Sequence, residues 1–233
     1  MTPSPTKNIS ALIVGGGSGI SAALARKLHA RGFSVGLVAR QTAKLQGIAE
    51  ATNAHLFEAD ASDDIAMEEV FDLAEASIGP LSVVIYNASV GPSSHSILDL
   101  DVKVVERHLA TSALGAFVVV QQAARKMVPR RQGTILLTGA TASVRGFPGS
   151  AAFAMGKFAM RGLAQSAARE LGPKGIHVAH LVIDGRVARD ALPPPEATSM
   201  NADNIATTYM HLIEQEACAW TFELDLRPWN ERF

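Results

Sequence analysis

Short runs of β-branched and aliphatic residues alternate along the chain with longer stretches in which apolar positions recur every three or four residues. A short continuous apolar run suits a strand covered on both faces, whereas the three-to-four spacing gives a helix with one apolar stripe. The pattern predicts strands at 11–14, 34–39, 55–58, 81–86, 133–138, 177–182 and 219–224. It predicts helices at 18–30, 42–51, 64–77, 102–126 and 150–171, with a weaker one at 203–216. Strand and helix in regular alternation build βαβ units, so the expected fold class is α/β, a doubly wound parallel sheet of about seven strands. No Pro- or Gly-rich linker and no internal repeat interrupts the pattern, which makes residues 1–233 a single domain. The least regular stretch is 184–200, which contains Pro193, Pro194 and Pro195 directly after a strand. Loops in that position lie on the ligand side of such sheets.

Composition narrows the function classes. The chain has 48% hydrophobic and 18% charged residues, enough apolar content for a buried core. Lys plus Arg number 21 against 22 Asp plus Glu, a formal charge of −1 with no block of like charge, so neither nucleic acid nor an anionic membrane is expected as a partner. Cys218 is the single cysteine, which excludes an internal disulfide framework and fits a reducing, cytoplasmic setting. Residues 1–7 hold two prolines and no apolar stretch of signal-peptide length, and runs such as 114–120 are far short of a membrane span.

Candidate chemistry starts at the first turn. The strand Ala11-Leu12-Ile13-Val14 runs into Gly15-Gly16-Gly17-Ser18-Gly19-Ile20, and an Ala/Leu-rich amphipathic helix follows at once. Glycines permit backbone angles closed to other residues and let a ligand approach the main chain, and the helix N-terminus offers free N–H groups to a pyrophosphate. A glycine cluster can be only a tight turn. Its place between a first strand and a helix favours Rossmann-type dinucleotide binding. About 20 positions on, where an acidic residue would accept hydrogen bonds from the adenosine ribose, the second strand ends at Val38-Ala39-Arg40 instead. A guanidinium can grip a 2′-phosphate with paired hydrogen bonds, so NADP(H) is expected in preference to NAD(H). The plainer alternative is a solvated arginine before a helix.

Several ordered motifs together resemble the short-chain dehydrogenase/reductase family over nearly the whole length. Val14 through Ser21 resembles that family's Thr-Gly-x-x-x-Gly-Ile-Gly turn, with Val14 and Ser21 departing from it. Asp60-Ala61 stands where the family has an Asp on adenine, and Asn87-Ala88-Ser89 resembles its Asn-Asn-Ala-Gly, with Tyr86 and Ser89 as departures. The segment 146–175, including Phe153-Ala154-Met155-Gly156-Lys157, is similar to the family's active-site helix. The resemblance implies hydride transfer between a nicotinamide and a carbonyl or alcohol carbon. A Tyr would exchange the proton, a Lys four residues on would hold the ribose, a Ser would bind the substrate oxygen and an Asn would position a water.

At those places the chain keeps Lys157 but has Phe153 for the Tyr, Ala140 for the Ser and Ser112 for the Asn. The family's Pro-Gly after the sixth strand is Asp184-Gly185, where Asp184 could accept from the nicotinamide amide or fix the turn. The chain therefore looks like a divergent subset lacking the active-site Tyr. Expected activity is weak or unconventional at most; the alternative is a cofactor-binding pseudoenzyme acting as redox sensor or assembly partner. Thr141, Ser143, Ser93, Ser94 and His95 are nearby substitutes in sequence, with a solvated loop histidine the simpler reading of His95 and local turn bonds that of Thr141 and Ser143. His108, His177 and His180 show no ligand spacing, and no metal is expected. By resemblance the helices at 102–126 and 150–171 would pack across two-fold axes in a homodimer or homotetramer, with Trp229 and Phe233 adding contacts or packing on their own subunit.

Overall fold

The computed structural model describes residues 9–92, 94–188 and 199–231. In chain order the strands are β1 (Ser10–Val14), β2 (Ser34–Ala39), β3 (His55–Glu58), β4 (Leu81–Tyr86), β5 (Gly133–Thr138), β6 (Ile176–Ile183), β7 (Arg186–Ala188), β8 (Ser199–Asn201) and β9 (Glu223–Leu226). Seven of them form one sheet in the order β3-β2-β1-β4-β5-β6-β9, every neighbouring pair parallel. The order reverses at β1 and β4, and the crevice beyond their C-terminal ends is where a sheet of this kind accepts a ligand.

Successive side chains of a strand point to opposite faces, which divides the core in two. Leu12 and Val14 of β1 pack with Met67 and Phe71 of helix α3 (Asp64–Ile78), Val119 of α5 (Gly115–Met127) and Met160 of α6 (Ala151–Leu171). Ala11 and Ile13 face the other way, toward Leu24 and Leu28 of α1 (Ile20–Ala30), Ile48 of α2 (Gln46–Thr52) and Tyr209 of α7 (Ala202–Ile213). The remaining helix, α4 (Val102–Leu109), lies against α6. Short polar side chains set the helix starts: Asp63 accepts from Ala66 N (3.0 Å), Asp101 from Lys103 N (2.9 Å) and Asn201 from Asp203 N (2.8 Å). Each such cap contributes about 1 kcal/mol.

Four elements differ from the sequence reading by more than two residues. The helix expected at 102–126 is two helices joined by a π-helical turn, Ala110–Leu114. Tyr86 reaches under that turn and donates to Thr111 O, and a Cβ at Gly115 would stand 2.6 Å from its hydroxyl. The widened turn thus accommodates an inserted side chain that satisfies one of its carbonyls. The last strand begins at Glu223 rather than 219, because Trp220 stacks on His177 (5.0 Å between centroids) and Gln215 ties down Thr221 N (2.8 Å). For the same reason the helix expected to reach 216 stops at Ile213. The helix expected at 42–51 opens as a 3-10 turn, Ala43–Leu45. A short parallel ladder between β7 and β8 was not read from the sequence. The three prolines at 193–195, together with Ser93 and Phe233, lie outside the described residues. Among the described residues no helix is long and apolar enough to cross a membrane.

Candidate active site

Where β1 and β4 end, a cleft of ≈ 780 Å³ opens above the sheet. Its tightest corner is the glycine turn. Gly15 has φ +96°, and a Cβ there would fall 2.3 Å from Ala88 N, so both backbone conformation and packing demand glycine. The N–H groups of Gly15 and Gly16 donate to Val38 O (2.9 Å each), locking the turn onto β2. Gly17 and Gly19 are different: nothing stands within 4 Å of where their Cβ atoms would be, so their backbone faces open space. Helix α1 begins after Gly19 with no side-chain cap and no acid in its first turn. Its leading N–H groups and positive end are left for an anion.

Ser21, noted above only as a departure from a pattern, closes this corner. Its hydroxyl donates to Gly15 O (2.8 Å) and accepts from Asn87 Nδ2 (2.7 Å), while Asn87 N donates to Val14 O (2.8 Å). The turn after β1 and the exit from β4 are thereby one hydrogen-bonded unit. The polar residue inside a glycine-rich turn was the available signal.

At the outer end, Arg40 lies 3.9 Å from Asp60 and is largely exposed. The Asp60 carboxylate accepts from Ser62 N (2.9 Å) and Ser62 Oγ (2.7 Å). Those bonds, backbone first, with the Arg40 charge added, hold its pKa below the ordinary value against the opposing effect of burial. Ala61, Asn87, Ala88 and Ser89 line the cleft between this end and the glycine turn, as do Gly15, Gly17, Gly19 and Ile20. Ser18 is exposed and lies outside the lining.

Phe153 and Ala140 line the inner end, with Ala142 and Phe147 beside them and Thr138, Thr141 and Ser150 in the same lining. Lys157 lies on the floor, 3% exposed, donating to Thr138 O (2.8 Å), its Nζ 5.9 Å from the centroid of the Phe153 ring. Burial pushes its ammonium down to about 8. The chain has two tyrosines, and neither is free to act in the cleft. Tyr86 is buried and committed to Thr111 O, and Tyr209 is buried with its hydroxyl 2.7 Å from Thr138 Oγ1. Burial raises both phenols.

Ser112, on the π-helical turn, is fully buried, has no hydrogen-bond partner for its Oγ and does not line the cleft. His108, one turn earlier, packs edge-on against Phe153 (5.8 Å) with both ring nitrogens unpartnered; burial, Arg107 and Lys157 lower its pKa. His180 is paired with Glu223 (2.9 Å), and Glu223 also binds Arg161 (2.7 Å), so it is a link between strands. Among the described residues no group of three His, Cys, Asp or Glu is placed to hold a metal.

Thr141 corrects an expectation. Its hydroxyl does not bond its own turn but donates to Asp184 Oδ1 (2.5 Å), while Ser143 does make the local bond, accepting from Ala140 N (3.1 Å). Asp184 is 8% exposed, its other oxygen 3.5 Å from Arg227, and its N–H donates to Leu226 O (2.8 Å). The carboxylate is absent from the cleft lining and is held by Thr141 and Arg227. Gly185 does line the cleft, at φ +151°, with Pro228 only 2.9 Å from where its Cβ would be. His95 is exposed, outside the lining, and its N–H donates to Gly149 O (3.1 Å).

Residues 10–187 match the family model described as short chain dehydrogenase. The chain belongs to the short-chain dehydrogenase family. "Short-chain dehydrogenase reductase 5" of Arabidopsis thaliana is 33% identical over 171 residues, covering 72% of this chain and 66% of that protein, a little under two thirds of the relative's length. A short-chain dehydrogenase from Rhodopseudomonas palustris superposes with a TM-score of 0.84 at 35% identity, covering 96% of this chain and 100% of that one. A metagenomic short-chain oxidoreductase solved with NADP gives a TM-score of 0.83 at 24% identity over 96% of this chain and 98% of that one, a likeness of fold. In this member of the family the glycine turn lies between the first strand and the first helix, and the inner end of the cleft carries phenylalanine and alanine side chains.

Proposed function

We propose that this short-chain dehydrogenase binds NADP(H) in preference to NAD(H) and performs carbonyl or alcohol oxidoreduction that is weak or unconventional at most. The residues present fit such a dinucleotide. Open space over Gly17 and Gly19, the uncapped start of α1 and the Ser21–Asn87 brace suit a pyrophosphate; Arg40 suits a 2′-phosphate; Asp60 and Ala61 sit where adenine would lie. Lys157 suits the nicotinamide ribose, with Asn87, Ala88, Ser89 and Gly185 along the way. When bound, the nicotinamide supplies or takes up hydride; the protein holds and orients it and keeps water from the apolar inner end.

The observation that carries the catalytic part is that both tyrosines are buried and committed elsewhere, while Phe153 and Ala140 face the cleft with no proton to exchange. A positioned general acid contributes roughly 10²–10⁴ in rate and a single oxyanion donor about 10²–10³. A second reading, a cofactor-binding protein without turnover, draws on the same two side chains.

Titration with NADPH and NADH, followed by nicotinamide fluorescence, tests the binding half. Tighter NADPH is expected; tighter NADH would refute the role given to Arg40, and no binding of either would sink both readings. The proposal extends to a homodimer or homotetramer, supported by Leu114, Phe117, Met155 and Phe158, which stand 44–50% exposed around α5 and α6. Light scattering on the intact chain checks it, with a monomer the contrary result.

A further inference from the structure

We infer that the inner half of the cleft takes an amphipathic organic anion, with its apolar body against Phe153, Ala140 and Phe147 and its carboxylate at the rim on Arg145. This rests on the reading of the cleft as a cofactor site with a substrate pocket beside it. Three observations converge. First, Pro92, Ala140, Ala142, Phe147, Phe153 and Val187 give the inner walls apolar surface, and the hydroxyls of Thr138, Thr141 and Ser150 in the same lining are already bonded to Tyr209, Asp184 and Phe147. Burying apolar surface there contributes about 25 cal/mol per Å² but does not orient a ligand.

Second, the charges are one-sided. The charged residues lining the cleft are Arg40, Asp60 and Lys157, and Asp60 is at the outer end beside Arg40. The inner half therefore has a buried ammonium on its floor and no carboxylate in its lining. The neighbouring acid, Asp184, lies behind the wall, occupied by Thr141 and Arg227.

Third, a second cation stands beside the cleft, outside its lining but against one of its walls. The Arg145 guanidinium lies over the Phe147 ring, 4.8 Å from its centroid, and Phe147 is a cleft wall. Stacking on an aromatic face restrains the flexible side chain and leaves the N–H edge for a planar anion. Among the described residues Arg145 has no carboxylate within ion-pair distance. Two cations with no facing acid give the pocket a positive potential, which penalises a cationic ligand and favours an anionic one. The fold also supplies a control. Arg186 is adjacent to Val187 in β7 and, like Arg145, outside the lining, but among the described residues it stacks on no aromatic wall of the cleft.

The test is isothermal titration of the intact protein, with and without saturating NADPH at low salt, using octanoate and its neutral isostere octanamide. Octanoate should bind about tenfold tighter than octanamide, Arg145→Gln should remove that margin, Arg145→Lys should keep part of it, and Arg186→Gln should leave it unchanged. Equal affinity for acid and amide, an unaltered margin in Arg145→Gln, or no binding of either at millimolar concentration overturns the inference. A separate NADPH titration of the same sample shows whether the cofactor reading fails; discrimination persisting without NADPH binding would leave the anion pocket standing alone.

Discussion

At the glycine-turn end of the cleft, polar groups are tied to one another before any ligand arrives: Gly15 and Gly16 to Val38, Ser21 to Gly15, Asn87 to Ser21, Asp60 to Ser62. At the Phe153 end three hydroxyls of the lining are committed within the protein, Thr141 to Asp184, Thr138 to Tyr209 and Ser150 to Phe147, and Phe153 and Ala140 offer carbon. Lys157 alone joins the two ends, a cation in an apolar floor held by one carbonyl. Preorganised donors bind without reorganisation, and a carbon wall can hold a ligand but cannot move its proton. On the proposed function, such a chain would meet the demands of binding at one end without those of proton transfer at the other.

The comparison breaks most readily at the turn. Gly15→Val combines a β-branched residue at positive φ with a collision against Ala88, so NADPH affinity should fall at least hundredfold, about 3 kcal/mol, with a lower melting temperature in the same sample. Undiminished binding would show that the turn is not the cradle.

Lys157 tests the floor through pH. Its folded pKa, about 8, lies below the ordinary lysine value, so the unfolded chain holds the extra proton between about pH 8 and 10.5. Stability from this group therefore rises with pH across that window and is least below it. Lys157→Met should flatten that slope in urea denaturation and, after the lost Thr138 bond is offset, stabilise the protein at pH 7 by on the order of 1–3 kcal/mol. NADPH affinity should fall at the same time, because the ribose loses its donor.

Arg40→Gln should cost NADPH about 1.5–3 kcal/mol and leave NADH within twofold, read as a change in the ratio of the two dissociation constants. Equal losses for both would assign Arg40 to something other than a 2′-phosphate. The smallest effect is expected of Ser21→Ala, which removes the link between Gly15 and Asn87 and should weaken NADPH by about 1 kcal/mol without altering the fold, as judged by circular dichroism.

Much of the architecture was legible because a strand buried on both faces leaves an unmistakable apolar run, as at 34–39, 81–86 and 133–138, which the structure reproduces residue for residue. What escaped was set by contacts distant in sequence. Nothing local in 102–126 announces the turn that Tyr86 widens from another element, and nothing in 219–224 shows that Trp220 is claimed by His177. At the site, Gly15 and Lys157 could be read from motif register, whereas the Thr141–Asp184 bond joins residues 43 apart and is visible only once β5 and β6 lie side by side. Arg145 was passed over because a surface arginine gains meaning only from the aromatic ring and cleft beside it.

The most direct measurement returns Tyr at Phe153 and Ser at Ala140 together and follows NADPH oxidation over a panel of aldehydes and ketones, with NADPH affinity measured in parallel. The account predicts at least a hundredfold gain in turnover over the unaltered chain with affinity changed less than threefold, because only the Phe153 end was deficient. Turnover by the unaltered chain equal to that of the double variant would contradict it, since proton transfer would then be supplied by a group that Phe153 and Ala140 do not replace.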